Sequence, residues 1–160
     1  MVEVGILMGS LSDREKMLPC VEILEKLGIS YKFHVTSAHR SPQRTCDIVK
    51  DLEEKGCKVF ICGAGLAAHL AGAVAARTTR PVIGVPLSAS PLGGMDALFS
   101  TVQMPPGYPV ATVALDKVGA KNAAWLAAQI LALSDFELDK KLHELREEMA
   151  RAVEDADRSL

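Results

Sequence analysis

Short, almost wholly apolar runs recur along the chain, and each is followed by a stretch whose apolar residues have helical spacing. Runs that do not alternate with polar residues indicate strands that are buried on both faces. Strands of that kind form parallel sheets with helices packed on either side. The pattern therefore predicts an α/β protein. The expected strands are Val2–Met8, Tyr31–Val35, Lys58–Cys62, Pro81–Val85 and Val110–Leu115.

Helices are predicted between and after these strands. In the first helical stretch the apolar residues share one face, and Gly28 follows the last of them, as is typical of a helix C-terminus. Five strand–helix units predict a flavodoxin-like three-layer α/β/α sandwich around a central five-stranded parallel sheet. The expected helices are Asp13–Leu27, Pro42–Lys55, Ala67–Thr78, Asp96–Val102 and Asn122–Leu133.

An extra C-terminal helix is predicted over Phe136–Ala156, beyond the fifth unit. A chain of 160 residues suits one domain, so we expect a flavodoxin-like domain over residues 1–134 and an attached helix over 135–160. The apolar stripe of this helix either folds back on that domain or packs on a neighbouring subunit, and we expect the neighbouring subunit. The stripe consists of Leu138, Leu142, Leu145, Met149 and Val153.

Charge and apolar patterning exclude several classes of partner. The formal net charge is −2 and the basic residues are scattered, so no broad surface for nucleic acid or anionic lipid is predicted. The longest uncharged apolar stretch, Leu66–Ala76, is too short to span a bilayer, and the N-terminus does not resemble a signal peptide. We therefore expect a cytoplasmic protein. The four cysteines lack metal-site spacing and are expected to be buried, reduced thiols.

Unusual residues follow four of the predicted strands. The carboxyl ends of parallel strands lie at one edge of the sheet, which is where open α/β folds bind ligands. We therefore expect these segments to form one site. They are MGSLSD (residues 8–13), SAHRSP (37–42), GAGLAAHLAG (63–72) and PLSASPLGGMD (86–96).

The first segment suggests an anion site. Ser12 is expected to cap the first helix, with Glu15 reaching back to it. Capping does not explain Gly9 and Ser10, which place flexible backbone and a second hydroxyl near a helix N-terminus, where phosphate binds readily. The glycine-rich motifs of nucleoside triphosphate and dinucleotide sites are absent, so a monophosphate is the preferred ligand.

The second and third segments supply two histidines. Ser41 is expected to cap the second helix with Pro42 at its first position, which leaves His39 and Arg40 unexplained. A guanidinium suits a phosphate, and an imidazole can donate and accept protons near neutral pH. From the residues alone, His39 is either a catalytic group or an ordinary loop residue. His69 is either a core or capping residue or a contact in the site.

The residues thus predict a small phosphorylated ligand held by Ser10, Ser12, Asp13 and Arg40, with proton transfer by imidazole. No cofactor motif and no metal-ligand spacing appear, so neither a cofactor nor a metal is expected. The alternative outside enzymes is a flavodoxin-like module that binds FMN. The chain has only one Trp and two Tyr to stack on a flavin, and Trp125 is assigned to a helix away from the loops.

Five ordered segments, found between Val4 and Leu133, resemble motifs of the PurE family of purine biosynthesis. MGSLSD is similar to the family's MGSxSD, SAHRSP to SAHRTP, and GAGLAAHLAG to GAGGAAHLPG. The segments PVIGVPL and VQMPPGYPVATVAL, the latter followed by GAKNAAWLAAQIL, are also similar to the family's. The agreement of several ordered motifs is far more specific than any one of them.

The resemblance implies an N5-carboxyaminoimidazole ribonucleotide mutase, which moves a carboxylate from N5 to C4 of the aminoimidazole. It implies that His39 handles the proton while CO2 is released and recaptured in a closed site. Matching motifs imply that Ser10, Ser12 and Arg40 hold the phosphate and Asp13 the ribose hydroxyls. The remaining implied ligand contacts, to the base and CO2, come from the SAHRSP and GAGLAAHLAG segments. They are Ala38, Gly65, Ala67, His69 and Leu70, with Ser37 as a further substrate contact. His69 is also the second expected catalytic residue, after His39. The family also implies a homo-octamer with sites between subunits.

Two positions depart from the family pattern. Leu66 stands where the motif has glycine, and Ala71 stands where it has proline. Loss of that proline is expected to loosen the loop beside His69. A related branch resembles direct aminoimidazole ribonucleotide carboxylases that use CO2, and its segments look like SAHK and GRSNALSG. Arg40 and His69 favour the mutase, whereas the Ala71–Gly72 ending favours the carboxylase.

Overall fold

A five-stranded parallel sheet forms the centre of the protein, in a computed structural model that describes residues 1–160. The strand order is β2-β1-β3-β4-β5, and every neighbouring pair is parallel. This confirms the predicted flavodoxin-like α/β sandwich. The strands are β1 (Val4–Met8), β2 (Tyr31–Val35), β3 (Val59–Gly65), β4 (Val82–Leu87) and β5 (Ala111–Thr112).

Helices cover both faces of the sheet. Helices α1, α5 and α6 share one apolar core with the sheet, while α2 and α3 share the core on the opposite face. Helix α4 packs against β4. The helices are α1 (Arg14–Leu27), α2 (Pro42–Glu54), α3 (Leu70–Ala75), α4 (Met95–Val102), α5 (Asp116–Ala132) and α6 (Phe136–Arg158).

The central strand β1 belongs to both cores. All five of its residues are buried, and alternation along a strand sends Ile6 into the core under α1 and α5 but Leu7 into the core under α2 and α3. Full burial of one such side chain stabilises the fold by about 1.5–3 kcal/mol. The edge strand β2 is only partly buried, because just one of its sides has a neighbouring strand. An uninterrupted apolar run is therefore a better predictor of a central strand than of an edge strand.

Several predicted boundaries were wrong. Strand β3 continues past Cys62 to Gly65, because the glycines there pair with β4 instead of forming a loop. Helix α3 covers only Leu70–Ala75, since residues 67–69 form irregular loop and a turn at Ala76–Arg77 follows the helix. Helix α5 begins at Asp116 instead of Asn122. Gly119 lies within the added first turns of α5, at a position where a Cβ would lie 1.6 Å from the Ala114 carbonyl oxygen, so only glycine fits there.

The C-terminal helix α6 is divided in its contacts. The Asp135 carboxylate accepts a hydrogen bond from Leu138 N at 3.0 Å and so caps the helix. The first part of the stripe, from Leu138 to Leu145, is buried against the domain itself. Met149 and Val153 are exposed. Packing on a neighbouring subunit stays a prediction, and within the stripe it concerns these last two side chains.

All four cysteines are free thiols, and three of them are buried. Burial raises the pKa of Cys20 to about 12 and that of Cys57 to about 11. These thiols therefore stay protonated at neutral pH and act as apolar packing groups. None of the helices is both long enough and apolar enough to cross a membrane.

The half-buried imidazole of His34 in strand β2 predicts a pH dependence of stability. His34 Nε2 is buried without a hydrogen-bond partner, and burial lowers the pKa of His34, with the Arg44 guanidinium adding to the effect. The unfolded chain then binds a proton more readily than the folded one. The free energy of unfolding should therefore fall as pH drops below the ordinary histidine value of 6.5.

Urea unfolding at pH 7.5 and pH 5.5 measures this effect. His34→Gln should reduce the difference between the two pH values, whereas His143→Gln, at an exposed position on α6, should leave it as in the wild type. An unchanged difference in His34→Gln would contradict the assignment.

Candidate active site

One cavity of about 610 Å³ lies at the carboxyl edge of the sheet, where the loops after β1, β2 and β3 meet. It contains ten of the eleven residues expected in the site, and the eleventh, His69, is bonded to one of them. The structure therefore brings the predicted residues together at one cavity, and their roles stay predictions. Its lining residues are Gly9, Ser10, Ser12, Asp13, Ser37, Ala38, His39, Arg40, Gly65, Leu66, Ala67, Leu70 and Ala89.

The loop after β1 is organised by Ser10. A short 3₁₀ turn, Leu11–Asp13, separates the strand from α1, and the Ser10 hydroxyl oxygen accepts from Ser12 N at 3.4 Å. The Ser12 hydroxyl also donates to Ser10 Oγ at 2.9 Å. The expected capping box was wrong, because the 3₁₀ turn moves the helix start to Arg14 and Glu15 instead pairs with Lys117 at 2.8 Å. Both hydroxyls face the cavity mouth together.

Asp13 is the one acidic residue of the cavity. Its side chain is largely buried, and its backbone N–H donates to the Ser10 carbonyl oxygen at 3.1 Å. Burial raises the pKa of Asp13, while a backbone hydrogen bond from Ser10 and the charge of Lys16 partly counteract it. A carboxylate in this setting is under-solvated and suits hydroxyl donors of a ligand.

The loop after β2 is closed by two serines. Ser37 N donates to Ser41 Oγ at 3.0 Å, and the Ser41 hydroxyl donates to the Ser37 carbonyl oxygen at 3.1 Å. Pro42 occupies the first turn of α2 as expected, but the Ser41 side chain makes no capping bond to that helix. Ser41 instead holds the loop that carries His39 and Arg40.

Arg40 is held against the loop after β1, next to Ser10. Its Nη2 donates to the Gly9 carbonyl oxygen at 3.2 Å, and its Nε lies 3.4 Å from Ser37 Oγ. Nη1 makes no hydrogen bond to the protein, and it lies in the same guanidinium plane as these two nitrogens. The guanidinium and the two serine hydroxyls of the β1 loop therefore provide donors suited to a phosphate-sized anion.

The two histidines of the site are directly bonded. His39 Nε2 lies 2.6 Å from His69 Nδ1, with the rings 4.7 Å apart and inclined at 75°. One nitrogen must donate and the other accept, so the pair holds one proton between these two atoms. His69 precedes α3 but makes no capping bond. The structure therefore places His69 beside His39 at the cavity, and its role in the site stays a prediction.

The loop after β3 brings main chain against the cavity. A Cβ on Gly65 would lie 2.7 Å from the Ala89 Cβ and 3.0 Å from the Leu87 carbonyl oxygen, so only glycine fits there. Leu66 follows with a φ of 56°, in the left-handed region that favours glycine. The glycine-to-leucine departure noted in the sequence therefore falls on a strained residue at the rim.

The sequence analysis placed the fourth segment, residues 86–96, at the site but assigned none of its residues a contact. Ala89 lines the cavity, and the adjacent Ser88 bonds to both Lys16 and Asp116. The signal available was the position of this segment directly after β4. No group of three or more His, Cys, Asp or Glu side chains is arranged to hold a metal ion. Apart from His39 no aromatic ring lines the cavity, and Trp125 lies in α5, so a flavin has no stacking partner there.

The family of the chain follows from its match to known protein families. The model of the AIR carboxylase family matches residues 3–152. The chain belongs to the AIR carboxylase family. The resemblance to PurE seen in the sequence is thereby confirmed. Among solved structures, the crystal structure of Treponema denticola PurE is similar to this chain, with a TM-score of 0.91 and 30% sequence identity. The match covers 100% of this chain and 99% of that one.

Members of the AIR carboxylase family in several organisms are similar over nearly the whole chain. The N5-carboxyaminoimidazole ribonucleotide mutase of Thermotoga maritima is 52% identical over 96% of this chain and 88% of its own length. The mutase of Bacillus subtilis is 51% identical over 94% and 93%. The mutase of Escherichia coli is 50% identical over 89% and 85%.

The strained residue at the rim gives a prediction about stability. Leu66→Gly should increase the free energy of unfolding by about 0.5–1 kcal/mol. Left-handed backbone costs an ordinary residue about 1–2 kcal/mol, and glycine avoids that cost. Glycine loses more conformational entropy on folding, which offsets part of the effect. Thermal or urea unfolding measures the change. Leu11→Gly is the matched control, because Leu11 is also exposed but has no positive φ, and this variant should lose stability.

Proposed function

We propose that this chain is an N5-carboxyaminoimidazole ribonucleotide mutase, an isomerase of purine biosynthesis. The reaction moves a carboxylate from N5 to C4 and gives 4-carboxy-5-aminoimidazole ribonucleotide. The observation that carries the proposal is the bonded His39–His69 pair beside a cavity with phosphate-type donors. Relatives about half identical to this chain, and bearing that mutase name, support it.

The ligand is oriented by its phosphate. Ser10, Ser12 and Arg40 present hydroxyl and guanidinium donors at one end of the cavity. Asp13 accepts from the ribose hydroxyls, which satisfies its under-solvated carboxylate. The aminoimidazole then extends toward His39 and the loop after β3. The groups proposed to surround the base and CO2 are Ser37, Ala38, Gly65, Ala67, His69 and Leu70.

Proton movement is assigned to His39. In the first step His39 gives a proton to N5 as the bond from N5 to the carboxylate carbon breaks, which releases CO2 and leaves 5-aminoimidazole ribonucleotide. In the second step C4 attacks CO2, and the proton lost from C4 returns to His39. The first transfer leaves His39 ready for the second, so protons and electrons balance over the cycle. His69, sharing its bond with His39, holds the ring and its tautomer.

This chemistry uses only groups of the chain and the substrate, so we expect no cofactor and no metal. We also propose a homo-octamer with sites between subunits, in the cytoplasm, with residues 1–134 as the catalytic domain. Exposed apolar side chains on one face of α4, at Met95, Phe99 and Val102, support an assembly, as do Met149 and Val153 on α6.

His39→Asn tests the proton role. The variant should fold and bind the ribonucleotide, and kcat should fall by at least about 100-fold, the contribution of a general acid or base. The exposed-histidine variant His143→Asn serves as control and should retain kcat. A near-normal kcat in His39→Asn would transfer the role to another group, with His69 the next to test.

The choice between mutase and carboxylase is tested with labelled bicarbonate. The protein should convert the N5-carboxylated ribonucleotide without added bicarbonate and with little label entering the product. The uncarboxylated ribonucleotide plus bicarbonate should be a much poorer substrate pair. Label incorporation at rates that match the N5-carboxylated substrate would assign the chain to the direct carboxylases.

A further inference from the structure

A charged cluster lies behind the cavity wall and has no role in the chemistry above. Lys16 Nζ on α1 donates to the Ser88 carbonyl oxygen at 2.5 Å and to Ser88 Oγ at 3.0 Å. Asp116, at the start of α5, accepts from Ser88 N at 2.9 Å and from the Ser88 hydroxyl. Lys16 Nζ and Asp116 Oδ1 are themselves 3.0 Å apart. Every polar group of Ser88 is therefore bonded to this pair.

The setting of the pair distinguishes it from the surface ion pairs of this chain. Both side chains are only 31% exposed, so solvent screens their interaction less than that of the exposed pairs along α6. Burial by itself raises the pKa of Asp116, but the hydrogen bonds from Ser88 and the Lys16 ammonium outweigh it and bring the pKa below its ordinary value. Asp116 is therefore ionised at neutral pH.

The backbone of Asp116 is also unusual. Its φ is 54°, in the left-handed region that is costly for a residue with a side chain. A residue stays in such a conformation only where its surroundings enforce it. The bonds to Ser88 and Lys16 are the contacts that hold Asp116 there.

Ser88 is linked to the cavity through its neighbour. Ala89 lines the cavity and lies so close to Gly65 that an added Cβ would be 2.7 Å from the Ala89 Cβ. Gly65, at the end of β3, and Ala89, in the loop after β4, together form this wall of the cavity. Displacement of Ser88 moves Ala89 and opens a gap at Gly65.

We propose that Lys16 and Asp116 are positioning residues that hold Ser88 and Ala89 against Gly65 and so prevent loss of CO2 from the cavity. This role rests on the proposed mutase function. Once the bond from N5 to carbon has broken, CO2 is either attacked by C4 or escapes and leaves 5-aminoimidazole ribonucleotide as a side product. A looser wall increases the share that escapes.

The test compares two products in three variants. In Lys16→Met and Asp116→Gly, the ratio of released 5-aminoimidazole ribonucleotide to carboxylated product should rise about threefold to tenfold, the factor produced by loss of one hydrogen bond, with KM little changed. The ratio is corrected for decay of the substrate without enzyme. Glycine suits the φ of Asp116, so that variant should fold. Lys117→Ala is the matched control, because Lys117 pairs with Glu15 and joins the same two helices without touching Ser88.

Amide hydrogen exchange over residues 88–94, without substrate, gives a second readout. Exchange should be faster in Lys16→Met and Asp116→Gly than in the wild type and in Lys117→Ala. Asp116→Gly removes the acceptor of the Ser88 N–H, and Lys16→Met removes the ammonium that pairs with that acceptor. Unchanged exchange would overturn the proposal, and so would faster exchange with an unchanged product ratio. A wild-type protein that forms no carboxylated product would contradict the proposed function alone, and exchange would still decide whether the pair holds the loop.

Discussion

The parallel pairing of β1 with both β2 and β3 is the constraint on which the site depends. Met8 is level with Val35 on one side and with Gly63 on the other, so the three chains leave the sheet at the same height. Main-chain bonds continue the pairing beyond the strand, from Gly9 N to the Gly63 carbonyl oxygen at 3.2 Å and from Thr36 N to the Met8 carbonyl oxygen at 2.9 Å. Segments far apart in sequence are thereby held within hydrogen-bonding reach.

This constraint explains the division of labour between the loops. The loop after β1 contributes donors and one carboxylate, the loop after β2 contributes the guanidinium and one imidazole, and the loop after β3 contributes the second imidazole and bare main chain. Each loop is braced by its own serine or glycine, as Ser41 braces the loop of His39. The sheet sets the separation between loops, while these local bonds set the direction of each side chain.

The sequence predicted the layers and the segments at the strand ends because both follow from simple periodicity and from the edge rule for parallel sheets. For the contacts at Ala38, Gly65, Ala67 and Leu70 the sequence offered only its resemblance to the family. It did not predict which serine caps, since one extra 3₁₀ turn exchanges Ser12 for Ser10. It left His69 undecided because a histidine before a helix has several uses. The Lys16–Ser88–Asp116 contacts were beyond reach, as they join three elements through side chains that show no pattern along the chain.

Much of the cavity is lined by residues with little or no side chain. They are Gly65, which packs against the Ala89 methyl group, together with Ala38 and Ala67. At these alanines mutation can enlarge the cavity by only one methyl group each, whereas Leu66 and Leu70 are the larger side chains of the lining. Gly65 has no side chain to remove, so at that position the main chain itself sets the limit of the cavity.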